Sequence, residues 1–184
     1  MYTFDQPGKN NTSATLEFAT KRGEELGISN FVVASNTGET AALLAEMILE
    51  QKTNLVCVKH HIGFKEPGLD EMPEEMERKL FDQGVKIHAA THLFANMERA
   101  VTQQFGGLYP GGIVSAALRC FGQGVKVCFE ISTMALDAGL VPYGTDIIAI
   151  GGTGRGADAA VVIQPEHGNN FFNTRLKEII CKPR

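Results

Sequence analysis

Three absences narrow the class of protein that this sequence can encode. No uninterrupted apolar run approaches the roughly 20 residues of a membrane-spanning helix, so we expect neither an integral membrane protein nor a membrane partner. The four cysteines include no Cys-x-x-Cys pair, which favours buried, reduced thiols. Basic residues are not in excess: the formal net charge is −4, which argues against binding to nucleic acid.

A secretory signal is also missing from the sequence. The first residues are neither basic nor followed by an apolar segment, so we expect a cytoplasmic protein. A length of 184 residues fits a single domain over residues 1–184. A domain of this size can form a hydrophobic core without metal ions or disulfides to hold it together.

Short apolar runs alternate with helical patterns along the chain. Strands are predicted at 2–4, 31–34, 55–58, 85–88, 146–150, 160–163 and 178–181. Helices are predicted at 12–26, from about 40 to about 51, and at 73–83, 91–105, 113–121 and 125–138, with a flexible turn at 106–112. This alternation predicts an α/β fold, a three-layer sandwich with a mostly parallel sheet. Ligands of such sheets bind beyond the carboxyl ends of the strands.

Two loops rich in glycine and hydroxyl residues each follow an apolar strand. The first, loop 35–40, consists of Ser35, Asn36, Thr37, Gly38, Glu39 and Thr40, and the second, loop 151–156, of Gly151, Gly152, Thr153, Gly154, Arg155 and Gly156. Backbone N–H groups in such loops have no partner within a helix or strand, and small residues let an oxyanion approach them. If the two loops meet, they form a site for a phosphorylated small molecule, with Arg155 as a bidentate donor. The alternatives are an ordinary strand-to-helix turn for the first loop and a mobile surface turn for the second.

Polar residues after other strands are further candidates for the site. They are His60, His61, Gly63, Phe64, Thr91 and His92, together with residues 167–170. The histidines can protonate a substrate or contact an anion, and they can equally cap the end of a strand. We expect no metal site, because the histidines do not have the spacing of converging ligands.

Known nucleotide and catalytic motifs do not fit the sequence. The glycines of loop 151–156 reverse the usual dinucleotide order, and no Gly-Lys-Ser/Thr signature follows a strand, so a Rossmann dehydrogenase and a P-loop NTPase are disfavoured. No Ser-His-Asp arrangement is recognisable, and Glu130 and Asp137 are interpreted as structural or solvated residues on a helix. The sequence does not decide whether the protein is an enzyme.

Three stretches resemble the C-terminal α/β domain of pyruvate kinase. Residues 31–41 are similar to its first strand and phosphate loop, residues 125–152 to its last helix and following strand, and residues 154–162, which include Asp158, to its glycine loop and final strand pair. The resemblance extends from about 12 to 165, with extra material near 62–75 and 92–112. It implies a stand-alone prokaryotic, largely archaeal, relative of that domain. Pyruvate kinase activity is not implied, since 184 residues leave no room for the catalytic barrel.

The resemblance also implies a ligand. The two loops bind phosphorylated effectors in pyruvate kinase, and the stand-alone relatives imply flavin mononucleotide (FMN), with its phosphate at loop 35–40 and its ring system against a wall such as Phe64. Lys9, Asn11 and residues 60–64 have no clear counterparts in the kinase domain. Two alternatives stay open: a flavin-dependent oxidoreductase of unknown substrate, and a structural or assembly protein with an empty pocket that forms a homo-oligomer.

Overall fold

In the part of the chain that the structure describes, residues 1–48 and 53–184, a seven-stranded sheet forms the middle layer. In this computed structural model the strands are β1 (Tyr2–Phe4), β2 (Asn30–Ala34), β3 (Asn54–Lys59), β4 (Lys86–Ala89), β5 (Ile147–Gly151), β6 (Ala159–Gln164) and β7 (Arg175–Pro183). Their order across the sheet is β1-β7-β6-β5-β2-β3-β4. Only β6 runs opposite to the other described strands, because its pairings with β5 and β7 are antiparallel and the remaining pairings are parallel.

Helices cover both faces of this sheet. They are α1 (Thr12–Leu26), α2 (Glu39–Ile48), α3 (Glu74–Asp82), α4 (Asn96–Phe105), α5 (Pro110–Arg119) and α6 (Gln123–Asp137). Helices α1, α2 and α3 pack on one face through buried side chains such as Val33 and Ile148, and α6 packs on the other face through Val32 and Ala149. Because neighbouring residues of a strand point to opposite faces, both faces of the central strands are buried. The predicted three-layer α/β sandwich with a mostly parallel sheet is confirmed.

Local residues determine where several helices begin and end. Gly27 closes α1 in the left-handed conformation, with φ of 66°. Pro73 precedes α3, whose first turn carries Glu74, Glu75 and Glu77 where negative charge opposes the positive end of the helix dipole. No helix among the described residues is long and apolar enough to cross a membrane.

The helices of the region 91–121 differ from those predicted. Helix α4 begins at Asn96, because the preceding residues form a turn in which the Phe94 N–H donates to Glu130 Oε1 at 3.1 Å. Helix α5 begins at Pro110 within the predicted turn, because the Glu98 carboxylate accepts hydrogen bonds at 3.2 Å from the N–H groups of both Gly111 and Gly112. The predicted end of the second helix, near residue 51, lies outside the described residues.

The carboxyl ends of β2, β3, β4 and β5 lie at one edge of the sheet, because these strands are parallel. Helix α2 follows β2 and therefore begins at this edge. Helix α6 also begins there: a Cβ atom added to Gly151, at the end of β5, would lie 2.4 Å from the carbonyl oxygen of Gly124 in the first turn of α6. Two helix N-termini, with their partial positive charge, thus lie at the same edge as the two predicted loops.

Candidate functional site

A cavity of about 750 Å³ opens at this carboxyl edge. Cavities of roughly 300–1,000 Å³ are typical of small-molecule sites. The cavity wall includes Ser35, Asn36, Thr37, Glu39 and Thr40 of loop 35–40, and Gly152, Gly154, Arg155 and Gly156 of loop 151–156. The structure therefore brings the two predicted loops, far apart in the chain, to one cavity.

Loop 35–40 is held in place by its own side chains. Ser35 Oγ accepts a hydrogen bond from the N–H of Ala41 at 3.4 Å, in the first turn of α2. Asn36 makes two contacts with His60: its Oδ1 accepts from the His60 N–H at 3.2 Å, and its Nδ2 lies 3.1 Å from His60 Nε2. The N–H groups of residues 36–38 have no hydrogen-bond partner among the described residues and can bind an anion.

Loop 151–156 is shaped by close backbone packing. A Cβ atom added to Gly152 would lie 2.1 Å from the carbonyl oxygen of Gly156, so the loop folds back on itself at a point where only glycine fits. Gly154 has φ of 75° and Gly156 has φ of 71°, in the left-handed region. Within the described ranges, the N–H groups of residues 152–156 have no hydrogen-bond partner. This loop thus offers mainly backbone donors, with Arg155 as its charged side chain.

Positive charge predominates in the cavity. Six cationic side chains line it, namely Lys9, Lys59, Arg99, Arg119, Lys126 and Arg155, against two carboxylates, Glu39 and Glu130. Each of the three lysines is paired with a carboxylate: Lys59 with Asp70 at 2.5 Å, Lys9 with Glu39 at 3.7 Å, and Lys126 with Glu130. Among the described residues the three arginines have no carboxylate partner. A positive cavity in a chain of net charge −4 favours an anionic ligand.

A cluster of aromatic rings forms one side of the cavity. The rings of His60 and Phe64 lie 3.7 Å apart between centroids, and His92 lies 5.3 Å from Phe64 and 5.1 Å from His60. The guanidinium of Arg99 lies 5.5 Å from the centroid of the Phe64 ring. These three rings line the cavity and provide an aromatic wall beside the two loops.

His60 and His92 differ in their hydrogen bonds. His60 Nδ1 lies 2.6 Å from a carboxylate oxygen of Glu71, and its Nε2 faces the Asn36 amide, so both ring nitrogens are engaged within the protein. Because the amide nitrogen can only donate, His60 accepts at Nε2 and donates from Nδ1 to the Glu71 carboxylate. His60 thus positions Asn36. Burial lowers the pKa of His92 to about 4, so His92 lines the cavity as a neutral imidazole at pH 7.

Several predicted site residues do not line the cavity, namely Gly38, His61, Gly63, Thr91, Gly151, Thr153 and Asp158. Gly38 faces α3 instead, since a Cβ atom there would lie 2.3 Å from Met76 Cγ. Gly63 closes the turn after β3, with its N–H bonded to the carbonyl of Leu69 at 2.9 Å. Asp158 is buried beneath loop 151–156, where its Oδ2 accepts from the N–H of Gly8 at 2.9 Å. Gly38, Gly63 and Asp158 therefore hold neighbouring backbone segments and do not line the cavity.

The expectation that residues 167–170 supply polar groups to the pocket is wrong. They follow β6, which is antiparallel, and therefore lie at the opposite edge of the sheet. There His167 Nδ1 lies 2.7 Å from Asp137 Oδ1, at the carboxyl end of α6. The sequence contained a signal for this arrangement, because the connection 152–158 is too short for the crossover that links parallel strands.

Several cavity residues were not predicted from the sequence, Arg99 of α4 among them. Arg119, Gln123 and Lys126 lie at or just before the start of α6, and Lys9 and Thr12 lie in the segment before and at the start of α1. The position of the start of α6 could have been predicted. A helix that packs against the parallel strand that follows it runs antiparallel to that strand. The helix therefore begins near the carboxyl end of the strand. The described residues contain no group of three or more His, Cys, Asp or Glu side chains placed to hold a metal ion.

Comparison with known families agrees with this architecture. The family model for pyruvate kinase, alpha/beta domain, matches residues 13–163. The match includes both loops, the aromatic wall and α6, and it leaves out β1, the segment before α1, and β7. The resemblance inferred from the sequence is thus confirmed, and the chain belongs to the family of the pyruvate kinase alpha/beta domain.

Proposed function

We propose that this protein binds a phosphorylated small molecule in the cavity at the carboxyl edge of the sheet. The observation that carries the proposal is the meeting of loops 35–40 and 151–156, both with N–H groups that have no partner among the described residues. Arg155 also lines the cavity, has no carboxylate partner among the described residues, and is a charged group available to the phosphate. The N-termini of α2 and α6 add partial positive charge at the same edge.

We propose FMN as the ligand, on two grounds. The family resemblance implies it, and the residues present fit its two parts: the loops fit a phosphate, and the ring of Phe64 with its neighbours His60 and His92 fits a planar ring system. When bound, FMN would supply redox chemistry, and the protein would supply binding and orientation. The chain's own contribution is therefore a phosphate cradle beside an aromatic wall.

Titration calorimetry with FMN, riboflavin and inorganic phosphate tests this proposal. Riboflavin shares the ring system of FMN and lacks the phosphate, so we expect it to bind at least about tenfold more weakly. A double variant, Thr40→Ala with Arg155→Ala, should bind FMN no better than wild type binds riboflavin. Arg78→Ala, which removes an exposed arginine of α3 outside the cavity, is the matched control and should leave FMN binding unchanged.

Two results would contradict the proposal: equal affinities for FMN and riboflavin, or unchanged FMN binding in the double variant. The same samples separate the other functions that the sequence left open. Turnover of an electron acceptor by the anaerobically reduced FMN complex would favour an oxidoreductase. An intact oligomer that binds none of the three probes would favour an assembly protein.

A further inference from the structure

A short segment before α1 contributes to the cavity although it lies outside the family match. We call residues 8–12 the N-terminal clasp. The family model begins at residue 13, yet Lys9 and Thr12 of the clasp both line the cavity. The clasp is therefore a part of this site that the family match does not account for.

Hydrogen bonds attach the clasp to the residues directly after loop 151–156. The Gly8 N–H donates to Asp158 Oδ2 at 2.9 Å, and the Ala157 N–H donates to Thr12 Oγ1 at 3.1 Å. Asp158 is fully buried, and its bond to Gly8 is partly buried. The clasp is thereby fixed at both of its ends against the same short stretch of chain.

Direct packing reinforces these bonds. A Cβ atom added to Gly156 would lie 2.4 Å from Thr12 Oγ1 and 2.9 Å from the Cα atom of Lys9. The backbone of loop 151–156 therefore touches the backbone of the clasp. This contact places Lys9, which lines the cavity, next to loop 151–156.

Lys9 reaches from the clasp to the other loop. Its Nζ lies 3.7 Å from Glu39 Oε2, at the start of α2, and the two side chains are 71% and 64% exposed. An exposed ion pair of this kind is weak, so Lys9 can leave Glu39 for a stronger anion. A phosphate monoester, with a charge of about −1.5 to −2 near neutral pH, is such an anion.

We infer that Lys9 is a ligand-binding residue of the cavity, which exchanges Glu39 for the anionic group of the ligand, and that Glu39 opposes anion binding. The inference rests on the proposed function and deepens it. It adds a cationic side chain from the clasp and a competing carboxylate to the phosphate site. Lys9 thereby raises the affinity for phosphorylated ligands, and Glu39 limits it.

The test compares single-charge variants in titrations with inorganic phosphate and with FMN. Lys9→Gln should weaken the binding of both probes about fivefold, the size expected for one exposed charge contact. Glu39→Gln should tighten binding about two- to threefold, because it frees Lys9 and removes a negative charge. Lys21→Gln is the control, since it removes an exposed lysine of α1 outside the cavity and changes the net charge equally.

The possible results distinguish a failure of this inference from a failure of the proposed function. If wild type binds both probes and Lys9→Gln binds them like Lys21→Gln, the inference is wrong and the proposed function stands. If Glu39→Gln weakens binding as Lys9→Gln does, the ion pair only holds the clasp to loop 35–40, and the inference is wrong again. If wild type binds neither probe, the proposed function fails and the inference fails with it. Urea denaturation of each variant confirms that the compared proteins are folded.

Discussion

The two loops that meet at the cavity are held in shape in opposite ways. Loop 35–40 uses its side chains, since Ser35 caps α2 and Asn36 binds both the backbone and the ring of His60. Loop 151–156 uses the absence of side chains, since Gly152 packs on the carbonyl of Gly156 at a distance that excludes a methyl group. The first loop is held by bonds that can be removed one at a time, and the second by a steric fit.

The two loops should therefore be disrupted by different kinds of substitution. Removing a hydrogen bond from loop 35–40 should weaken it in steps, because the other bonds remain. Adding one methyl group to loop 151–156 should disrupt it as a whole, because the atoms that would collide belong to the backbone. Single substitutions in each loop can measure this contrast.

Gly152→Ala should abolish FMN binding. Its Cβ atom would lie 2.1 Å from the oxygen and 3.0 Å from the carbon of the Gly156 carbonyl, so the loop must open. We expect at least about a hundredfold loss of affinity, the equivalent of one or two charge-assisted hydrogen bonds. The free energy of unfolding should fall by about 1–3 kcal/mol. Titration calorimetry and urea denaturation measure the two effects.

Gly154→Ala is the matched control for this steric argument. Unlike Gly152, Gly154 has positive φ, at 75°, and no atom lies within 4 Å of the position of an added Cβ. It should cost about 1–2 kcal/mol of stability through backbone strain and keep most of the FMN affinity. Equal losses of affinity in the two variants would show that the steric fit is not what shapes the loop.

Arg155→Gln tests the charged side chain that loop 151–156 offers. It should weaken FMN binding about tenfold or more, because a charge-assisted bond to phosphate contributes about 1.5–3 kcal/mol. Riboflavin binding should not change. A parallel loss of riboflavin affinity, measured by the same titrations, would place Arg155 at the ring system and not at the phosphate.

Asn36→Ala tests the stepwise weakening expected of loop 35–40. It removes two hydrogen bonds to His60, at 3.2 and 3.1 Å, and should lower the free energy of unfolding by about 1–2 kcal/mol. FMN affinity should fall less than in Gly152→Ala, since Ser35 still caps α2. Thr37→Ala, whose hydroxyl has no hydrogen-bond partner among the described residues, should leave stability unchanged in urea denaturation. Equal stabilities of the two variants would contradict this account of the loop.

The smallest expected effect is on the free energy of unfolding, and it concerns the aromatic wall beside loop 35–40. Burial lowers the pKa of His92 to about 4 in the folded protein, whereas an unfolded histidine titrates near 6.5. Between these values the unfolded chain binds more protons, so stability falls as the pH drops from about 6.5 to about 4. In His92→Gln the fall should be smaller by on the order of 1 kcal/mol, because the ring keeps some access to solvent.

Urea denaturation at pH 7.5 and pH 5 measures this difference. His88, whose pKa burial also lowers, is present in both proteins, so the difference between them isolates His92. Identical losses of stability in wild type and His92→Gln would show that His92 is not held neutral by burial.

The sequence was sufficient for the layers of the fold and for the two loops. Apolar strands such as 31–34 and 147–150 alternate with amphipathic helices, and this local pattern determines a parallel sheet covered on both sides. Loops 35–40 and 151–156 were recognisable because glycine and hydroxyl residues directly follow those strands. Both kinds of signal are local, and that is why they could be read from the sequence.

The features of the structure that could not be predicted from the sequence depend on contacts between residues far apart in the chain. Gly111 and Gly112 are typical of a turn, and they are helical because Glu98 accepts hydrogen bonds from both of their N–H groups. Lys9 precedes the first helix without any motif, and it reaches the cavity because Ala157 and Asp158, directly after loop 151–156, hold the clasp by hydrogen bonds. Such tertiary bonds leave no periodic pattern in the sequence.

Loops 35–40 and 151–156 should act as one anion site. A titration of the ¹⁵N-labelled protein with inorganic phosphate, followed by amide chemical shifts, tests it most directly. The account predicts that the amides of residues 36–38 and 152–156 shift together with a single dissociation constant. Shifts confined to one loop, or two different dissociation constants for the two loops, would contradict it.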